Sequence, residues 1–428
     1  MRILHALRSY LRLRWFPTWI RSRADLQRWQ SKKLRHWMQH SLPNVAAFEH
    51  PTSLQDIPTM DKASLMADFS RYTTPPISNA EGWQAFDTTK TLGPLIVGAS
   101  TGTSGNRGLF AISQAERYAW LGAILAKLMP GFWRRRERIA ILLPLNTPLY
   151  DSANSLWGLS LQFFDLARPW DELCPDLEGF DPTTIIAPPR ILRRCVEEQV
   201  KIRPQRAFSG AEKLDPLDRN SIEAGWDLTL HEIYMATEGL LGTTCQMGRM
   251  HLAEDCLYFE FQPASGGLVM PILTDFSRST QIMARYRLDD LLRLDPAPCA
   301  CGLPTQVVHE IVGRQDDVFC LGSATGIIEV TPDILRNAIV DTDRRITQFQ
   351  LVQTGPNEID LRLLEDLPPD VADNVAQNLR ALFRTHGAQD LTINHSPLDL
   401  NQPGKLRRIR RDWQPDHTVD QKDVHGLL

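Results

Sequence analysis

The amino-acid sequence predicts an α/β protein with a large N-terminal domain, in which helices accompany mixed and parallel sheets, and a small α+β C-terminal domain. From Leu92 onward, short apolar segments typical of strands alternate with helical segments and Gly-rich turns, which is the pattern of α/β folds. Beyond Gly313, a shorter region alternates strand-like segments with one helical segment. We place the domain boundary near Asp316. The result is an N-terminal domain over residues 1–315, which includes a helical lead-in over 1–90, and a C-terminal domain over 317–428.

The predicted elements follow in order along the chain. Apolar residues repeat at helical spacing over residues 26–37, and a Pro-rich break at Thr74-Pro75-Pro76 closes the lead-in. A helix is expected over 114–128 and a strand over 138–143. Three further apolar segments are typical of parallel strands buried on both faces, and functional loops should follow their carboxyl ends. These segments are 183–187, 205–209 and 228–234. A strand-rich region spans 257–294, and the small domain has strands at 348–352 and 359–364 and a helix at 370–383.

The composition excludes several classes of protein. The 428 residues are 43% hydrophobic and 23% charged, which is typical of globular proteins, and the formal charge of -4 gives no overall attraction to nucleic acid or anionic membranes. The chain has no uncharged apolar run that could span a bilayer and no signal-peptide core. We therefore expect a cytoplasmic protein with no nucleic-acid partner and no integral membrane association. Its seven cysteines are an odd number in a large chain, which is more typical of free thiols or metal ligands than of a set of disulfides.

The lead-in has an uneven charge. Residues 1–36 contain ten Arg and Lys residues against the single acid Asp25, with tryptophans interleaved among them. Such a stretch could bind a membrane surface or RNA. We favour a helix docked on the main domain through its aromatic side, with its charged side in solvent. The tryptophans are Trp15, Trp19 and Trp29.

A loop rich in hydroxyls and glycines follows the apolar stretch 94–97. Its glycines allow backbone amides to approach an anion closely, and its hydroxyls can donate to phosphate oxygens. The loop lacks the Lys-Ser/Thr ending of a P-loop NTPase. It reads Ser100-Thr101-Gly102-Thr103-Ser104-Gly105-Asn106-Arg107-Gly108.

Five later motifs follow in the order and spacing of a known pattern. Together with the loop, they resemble the acyl-adenylate-forming, or AMP-binding, superfamily over roughly residues 92–410. The motifs are Ser209-Gly210-Ala211-Glu212 with Tyr234-Met235-Ala236-Thr237-Glu238, Arg285-Tyr286-Arg287-Leu288-Asp289-Asp290, Gly313-Arg314-Gln315-Asp316-Asp317 and Pro403-Gly404-Lys405-Leu406-Arg407-Arg408.

The resemblance implies a role for each motif. Ser100 to Gly105 bind phosphates, Gly210, Ala211 and Glu212 border the adenine and acyl pocket, and Tyr234 belongs to the element in which Thr237 meets the α-phosphate and Glu238 holds Mg²⁺. Asp290 and Arg314 contact the ribose, and Asp316 is the hinge of a mobile C-terminal lid. Lys405 reaches the substrate carboxylate and the α-phosphate. The sequence departs from the pattern at Asn106-Arg107, where relatives carry Lys-Pro, and at Leu288-Asp289, where they carry Thr-Gly.

Three cysteines and a histidine form a candidate metal site. Cys245, His251, Cys299 and Cys301 offer three thiolates and an imidazole, which suits tetrahedral zinc, and four protein ligands favour a structural role. Cys256 is the alternative ligand. The segment 298–302 resembles the Cys-x-Cys-Gly element of zinc-bearing relatives of phenylacetate-CoA ligase.

These motifs resemble most the branch that contains phenylacetate-CoA ligase and the deazaflavin-coenzyme adenylating synthetases. The implied enzyme is an acid-thiol ligase that uses ATP and Mg²⁺ to form an acyl-adenylate and passes the acyl group to coenzyme A or to the phosphopantetheine of an acyl carrier protein. By the same resemblance, residues 145–150, Trp157 and the segment after Glu238 are expected in the acyl pocket. Tyr150 and Trp157 either indicate a flat acid or pack in the core. Adenylyl transfer to a hydroxyl and a non-catalytic nucleotide-binding role remain open alternatives, as does a homodimer.

Overall fold

A computed structural model describes most of the chain, and the chain divides into two compact units. Unit 1 contains residues 1–262, 269–288 and 292–311, and unit 2 contains 263–268, 289–291 and 312–428. The described residues are 2–48, 51–100, 107–134, 136–143, 158–324, 326–343, 345–388, 391–399 and 407–414.

Unit 1 begins with the helical lead-in that the sequence predicts. Ser22 caps the second helix, where its side chain accepts from the Asp25 N–H while Asp25 accepts in return, so two unpaired donors of the helix start are satisfied. The helices are α1 (Arg2–Trp19), α2 (Arg23–His40), α3 (Lys62–Ala67) and α4 (Asn79–Asp87).

A small antiparallel sheet follows, formed by β1 (Thr91–Leu92), β2 (Leu95–Ala99) and β3 (Leu109–Ser113). Ser113 then caps α5 (Gln114–Leu128), whose bounds agree with the predicted helix. Helix α1 packs along α5, so the lead-in is docked on the body of unit 1. The docked side is aromatic, as the sequence indicated, because Tyr10 and Phe16 are buried and Trp29 of α2 packs on Phe16 and Phe276, but two of the three tryptophans do not contribute to it. Trp15 and Trp19 are exposed, because the helix buries Ala6, Tyr10, Leu13 and Phe16 instead.

The main sheet has twelve strands, and its two halves differ in direction. Strands β5, β4, β6, β7 and β8 are adjacent in that order and parallel, and the three strands predicted over 183–234 are β6, β7 and β8. From β8 the sheet continues through antiparallel neighbours. The α/β fold class is therefore confirmed. The parallel strands are β4 (Glu137–Leu143), β5 (Leu159–Asp165), β6 (Thr184–Ala187), β7 (Arg206–Ser209) and β8 (Leu230–Ala236).

The parallel strands are connected by helices, as parallel pairing requires. These helices are α6 (Trp170–Phe180), α7 (Pro189–Glu197) and α8 (Pro216–Trp226). The remaining strands of the sheet are β9 (Gly239–Thr244), β10 (Met250–Leu252), β11 (Tyr258–Ala264), β12 (Leu268–Thr274), β13 (Tyr286–Arg287), β14 (Asp290–Asp295) and β15 (Val307–Arg314).

Unit 2 has its own apolar core, in which Phe319, Phe349 and Phe383 are fully buried. Two helices accompany a two-stranded sheet and a four-stranded sheet, as expected for a small α+β unit. Its elements are β16 (Phe319–Ser323), β17 (Gly326–Val330), α9 (Pro332–Val340), β18 (Phe349–Gln353), β19 (Glu358–Leu363), α10 (Pro369–Thr385), β20 (Thr392–Pro397) and β21 (Ile409–Arg411). Among the described residues of both units, no helix combines the length and the apolar character needed to cross a membrane.

Candidate functional site

Two of the sequence motifs lie at the carboxyl ends of neighbouring parallel strands. The Gly210-Ala211-Glu212 turn directly follows β7, and Gly210 donates its N–H to the Ala187 carbonyl at the end of β6 (3.1 Å). An added Cβ on Gly210 would lie 3.7 Å from the Ile233 carbonyl oxygen of β8, so the turn runs close to that strand. Ligands of open α/β sheets bind beyond the carboxyl ends of the strands.

The Gly210 turn has an unusual backbone and a buried carboxylate. Ala211 has a positive φ of 67°. Residues other than glycine rarely adopt this backbone conformation, which is found at functional turns. The Glu212 side chain is 6% exposed and pairs with Arg190 of α7, with 3.3 Å between Oε1 and Nε. This ion pair fixes the turn against the helix that follows β6.

Tyr234, Thr237 and Glu238 lie at the end of β8 and in the turn to β9. Tyr234 is buried in the core of unit 1, and the β8–β9 register shifts directly after it. Arg278 donates from Nη2 to the Glu238 carbonyl (2.7 Å) and pairs with the buried Asp275 (3.1 Å). The two motifs that the resemblance assigns to adenine, phosphate and magnesium therefore share one edge of the parallel sheet.

The base of the hydroxyl-rich loop lies between two antiparallel strands. Ser100 follows β2 and Gly108 precedes β3, and the two are joined because the Ser100 N–H donates to the Gly108 carbonyl while the Gly108 N–H donates to Ser100 Oγ (2.8 Å each). The Ser100 hydroxyl is therefore an acceptor at the loop base. Thr101, Gly102, Thr103, Ser104 and Gly105 lie outside the described residues.

Arg107, which replaces a proline of the related pattern, stacks on aromatic rings of α4. Its guanidinium carbon lies 5.3 Å from the Trp83 ring centre and 5.0 Å from that of Phe86. Nε also faces the Ser100 carbonyl at 3.4 Å. These contacts hold the guanidinium on α4.

In unit 2, the two residues assigned to the ribose are neighbours. The Arg314 guanidinium lies 3.7 Å from the Asp289 carboxylate, and the Gln315 N–H donates to the Asp289 carbonyl (2.7 Å). Burial works to lower the pKa of Arg314, but nearby carboxylates, with Asp290 the strongest, raise it above its ordinary value. Asp289 thus fixes the turn in which relatives carry glycine, while Leu288 fills the core of unit 1.

The tail motif is anchored by an ion pair in the interior of unit 2. Arg407 contacts both carboxylate oxygens of Asp317, and both side chains are largely buried. Burial raises the pKa of Asp317 to about 6, although Arg407 opposes the rise. Lys405 lies outside the described residues, as do residues 145–150 and Trp157.

The four predicted metal ligands meet at one place in unit 1. Cys245 follows β9, His251 lies on β10, and Cys299 and Cys301 belong to the connection from β14 to β15. Their ligand atoms all lie within 4.8 Å of one another. The Cys245 and Cys299 sulfurs are 3.7 Å apart, and Cys301 Sγ is 3.4 Å from His251 Nε2. In a tetrahedral zinc site, two sulfurs should be ~3.8 Å apart and a sulfur and a nitrogen ~3.6 Å.

The surroundings of the cluster suit a cation. Thr305 Oγ1 lies 2.9 Å from His251 Nδ1, which leaves Nε2 directed at the cluster. Burial lowers the pKa of His251, which favours the neutral imidazole that a metal ion requires. Backbone N–H groups of Met247 and Leu303 donate to the Cys245 and Cys301 sulfurs. These residues fit a structural Zn²⁺.

Cys256, the alternative ligand, lies elsewhere. Its sulfur accepts from Arg12 of α1 at 3.7 Å, and burial raises the pKa of its thiol to about 12. Cys256 does not belong to the cluster of four ligands whose ligand atoms all lie within 4.8 Å of one another. Gly302 follows Cys301 with a φ of 80°, so the residue after the second cysteine must take a backbone that favours glycine.

The sequence reasoning missed the residues that hold the motifs in place: Arg190, Arg278, Thr305 and the pairing of Asp317 with Arg407. Each of these residues is far in sequence from the motif residue that it contacts, so no local sequence pattern contains both. For the Asp317–Arg407 pair the sequence did contain a signal. The 313–317 motif is acidic and the tail motif is basic, and opposite charges in two distant motifs suggest an ion pair.

Comparisons with known proteins identify the fold. No protein-family model matches the sequence, and no curated protein matches it. Solved structures do match, and several of them are structures of 2-hydroxyisobutyryl-CoA ligase in complex with HIB-AMP. The most informative match is 2-hydroxyisobutyryl-CoA ligase in the postadenylation state in complex with R3-HIB-AMP, with a TM-score of 0.69 at 16% identity over 92% of this chain and 91% of that chain.

The same ligase also matches in two other complexes. With 2-HIB-AMP in the postadenylation state, the TM-score is 0.66 at 16% identity over 89% of this chain and 88% of that one. In an open conformation with 2-HIB-AMP and CoA, the TM-score is 0.60 at 15% identity over 90% of this chain and 92% of that chain. At this identity the likeness establishes a shared fold, which is the fold of an adenylate-forming ligase and agrees with the resemblance seen in the motifs.

Proposed function

We propose that the protein uses MgATP to convert a carboxylic acid to an acyl-adenylate and then transfers the acyl group to a thiol. The observation that best supports this proposal is the meeting of Gly210–Glu212 with Tyr234–Glu238 at the carboxyl ends of β7 and β8. The fold in which they meet is shared with a CoA ligase whose structures contain an acyl-AMP.

Each motif residue has a proposed role in unit 1. Gly210, Ala211 and Glu212 border the adenine and the acyl group, and Thr237 binds the α-phosphate. Glu238 supplies a carboxylate to Mg²⁺, which prefers oxygen ligands and neutralises phosphate charge. Ser100 holds the base of the loop whose residues Thr101 to Gly105 bind the β- and γ-phosphates.

Residues of unit 2 have the remaining roles. Asp290 accepts hydrogen bonds from the ribose hydroxyls, and Arg314 donates to them. Lys405 binds the substrate carboxylate and the α-phosphate. We also propose the boundary at Asp316, with residues 317–428 acting as a lid that turns about it.

The chemistry is two displacements. A carboxylate oxygen attacks the α-phosphorus, the bond to the bridging oxygen breaks, and pyrophosphate leaves with its electron pair. The Lys405 ammonium stabilises the charge that develops on the phosphate oxygens. A thiolate then attacks the acyl carbon, and AMP leaves. The acceptor is coenzyme A or a carrier-protein phosphopantetheine, and the branch we propose is that of the phenylacetate-CoA ligases.

We further propose that Cys245, His251, Cys299 and Cys301 bind a structural Zn²⁺. The Cys245–Cys299 and Cys301–His251 separations, 3.7 and 3.4 Å, agree with edges of a zinc tetrahedron. Four protein ligands leave no position open for substrate, so the ion joins the β9–β10 hairpin to the connection before β15.

Exchange of labelled pyrophosphate into ATP tests the proposed reaction. The purified chain is incubated with MgATP, labelled pyrophosphate and one acid at a time from a panel of aryl and aliphatic acids. We expect exchange that depends on particular acids, because adenylation is reversible until the acyl group leaves. Product analysis with coenzyme A should then give a thioester.

The other outcomes would decide against the proposal. Exchange that requires a hydroxyl compound and yields a stable AMP-bearing product indicates adenylyl transfer to a hydroxyl. Nucleotide binding without exchange for any acid indicates a non-catalytic nucleotide-binding protein.

A further inference from the structure

Helix α1 has a second apolar face that the fold leaves uncovered. Its inner face packs with α5, as described above, whereas the opposite face carries large apolar side chains that are 48% to 66% exposed. They repeat at intervals of three, four and eight residues, which places them along one side of the helix. The exposed side chains are Ile3, Leu4, Leu7, Trp15 and Trp19.

A neighbouring turn extends this face. Trp133, in the 3-10 turn Phe132–Arg134, is 48% exposed, and its ring centre lies 5.2 Å from that of Tyr10 on α1. The Gly131 N–H also donates to the Tyr10 hydroxyl (3.1 Å). Eight large hydrophobic side chains are exposed in the described part of the chain, and six of them are Trp133 and the five on α1. Such a concentration of exposed apolar surface marks an interaction site.

Cations surround this apolar surface. In residues 1–36 the one acid, Asp25, is paired with Arg28. Burial lowers the pKa of Lys33 on α2, and the charges of Arg12, Arg8 and Lys32 lower it further, so these cations lie close together. Among the exposed cations of α1, of α2 and next to Trp133 are Arg8, Arg14, Lys32, Lys33, Arg134 and Arg136.

We propose that this surface, the α1 face, binds an anionic lipid bilayer. We define the α1 face as Ile3, Leu4, Leu7, Trp15, Trp19 and Trp133 with the six exposed cations named above. An apolar helix face with tryptophan and leucine, bordered by Arg and Lys, lies in the interface plane of a membrane, where its side chains enter the acyl boundary and its cations meet lipid phosphates.

The charge of the α1 face decides between possible partners. A second copy of the chain would bring two positively charged faces together, which is electrostatically unfavourable. A nucleic acid would satisfy the cations but would leave Ile3, Leu4 and Leu7 against a polar, charged surface. An anionic bilayer satisfies both the aliphatic side chains and the cations.

Vesicle flotation with the full chain tests this inference without ATP or acid, so its outcome is independent of the proposed catalysis. The vesicles are phosphatidylcholine alone or phosphatidylcholine mixed with phosphatidylglycerol. We expect binding at least about tenfold stronger to the anionic vesicles, because several cations approach their surface. The binding should weaken as salt is raised, since salt screens exposed charges.

Substitutions separate the apolar and the charged contributions. The triple variant Leu4→Gln, Leu7→Gln, Trp15→Gln should lose at least about tenfold in vesicle affinity, because three side chains no longer enter the acyl boundary. The double variant Arg8→Gln, Arg14→Gln should lose the preference for anionic vesicles and retain residual binding. Ile327→Gln, which replaces an exposed apolar residue of β17 in unit 2, is the matched control and should bind as the parent does.

The result that would overturn the inference is a parent chain that does not float with anionic vesicles, or a triple variant that floats as well as the parent. Unchanged thermal unfolding of the variants confirms that they fold. RNA binding that the triple variant retains and the double variant loses, without vesicle binding, would assign the surface to nucleic acid. Self-association that the triple variant abolishes, without vesicle binding, would assign it to a second copy.

Discussion

Asp317 is a carboxylate held in the interior of unit 2 against the Arg407 guanidinium. Burial raises its pKa from 3.8 to about 6 in spite of that contact. The folded protein therefore retains a proton on this group at pH values where the unfolded chain has released it. The pair also holds Arg407, two residues after Lys405, in a fixed place just before β21.

The raised pKa of Asp317 predicts a component of stability that decreases with pH. Because the folded pKa lies above the unfolded one, this component is fully present below about pH 3.8 and is lost as pH rises through about 6. Asp317→Asn should remove it, since an amide does not titrate. Calorimetric Tm values measured across this interval check the prediction, with Asp373→Asn on the exposed side of α10 as control. The same pH slope in the parent and in Asp317→Asn would contradict it.

Lys405 carries the proposed adenylation step. Lys405→Ala should lower pyrophosphate exchange by at least about 100-fold, because the charge that develops on the phosphate loses its partner. ATP binding should remain largely intact, since other residues hold the nucleotide. The matched control is Lys201→Ala, which removes an exposed lysine after α7 and should leave exchange unchanged. If Lys405→Ala exchanged at the parent rate, Lys405 would have no role in adenylation.

At the scale of single residues, the sequence predicted groups that share a local motif and missed their distant partners. Cys299 and Cys301 are close in sequence and match a spacing typical of metal ligands, so they could be recognised together. Thr305 and Arg278 could not be recognised from the sequence. A threonine that orients His251 and an arginine that holds the Glu238 carbonyl depend on how the chain folds back, which no local pattern records.

Among the elements, α1 and α5 pack closely against each other at Gly122. An added Cβ there would lie 2.1 Å from the Ala6 carbonyl oxygen. Gly122→Ala should therefore destabilise unit 1 by about 1 to 3 kcal/mol, the usual cost of overpacking. The matched control is Gly179→Ala in α6, where a Cβ meets no atom within 4 Å. That change should stabilise by about 0.4 to 1 kcal/mol, because alanine reduces the entropy of the unfolded chain.

Chemical denaturation of both glycine variants measures the difference. A Gly122→Ala chain as stable as the parent would show that α1 does not pack on α5 as closely as described. The same result would weaken the argument that the opposite face of α1 is the exposed one.

The β9–β10 hairpin and the connection before β15 depend on the proposed zinc. Cys301→Ser should lower the bound zinc and the Tm, because a structural ion stabilises the fold in which its ligands meet. Cys256→Ser, which removes the alternative ligand, should leave the zinc content unchanged. Elemental analysis of freshly purified protein, with Tm before and after chelation, checks both statements. Metal-free protein of full stability would contradict the zinc site.

At the scale of elements, the parallel half of the sheet was easier to predict than the antiparallel half. Strands β6 and β7 are buried on both faces and short, so their sequences are continuous apolar runs. Strand β10 has three residues and pairs with β9 and with the distant β15, and nothing in residues 250–252 specifies that pairing. For α1, the interleaving of Trp with Arg indicated an aromatic inner face. That face is aromatic through Tyr10 and Phe16, whereas Trp15 and Trp19 are exposed.

For the whole molecule, the order of motifs predicted the fold more reliably than any single motif. The match to a CoA ligase over 92% of the chain at 16% identity shows that the architecture is shared where most side chains differ. The patterns at 209–212 and 234–238 could be recognised because each lies at the end of a strand of the parallel sheet and in the turn directly after it. The proposed acid and the proposed thiol acceptor are not encoded in those turns, so the sequence left them open.

The central claim is that a nucleotide binds at the carboxyl ends of β7 and β8. Hydrogen exchange of the full chain, measured by mass spectrometry with and without MgATP or AMP, tests it directly. We predict slower exchange in peptides covering 208–213 and 233–239, and no change in peptides covering α6. Exchange at those two segments that is the same with and without saturating nucleotide would contradict the account.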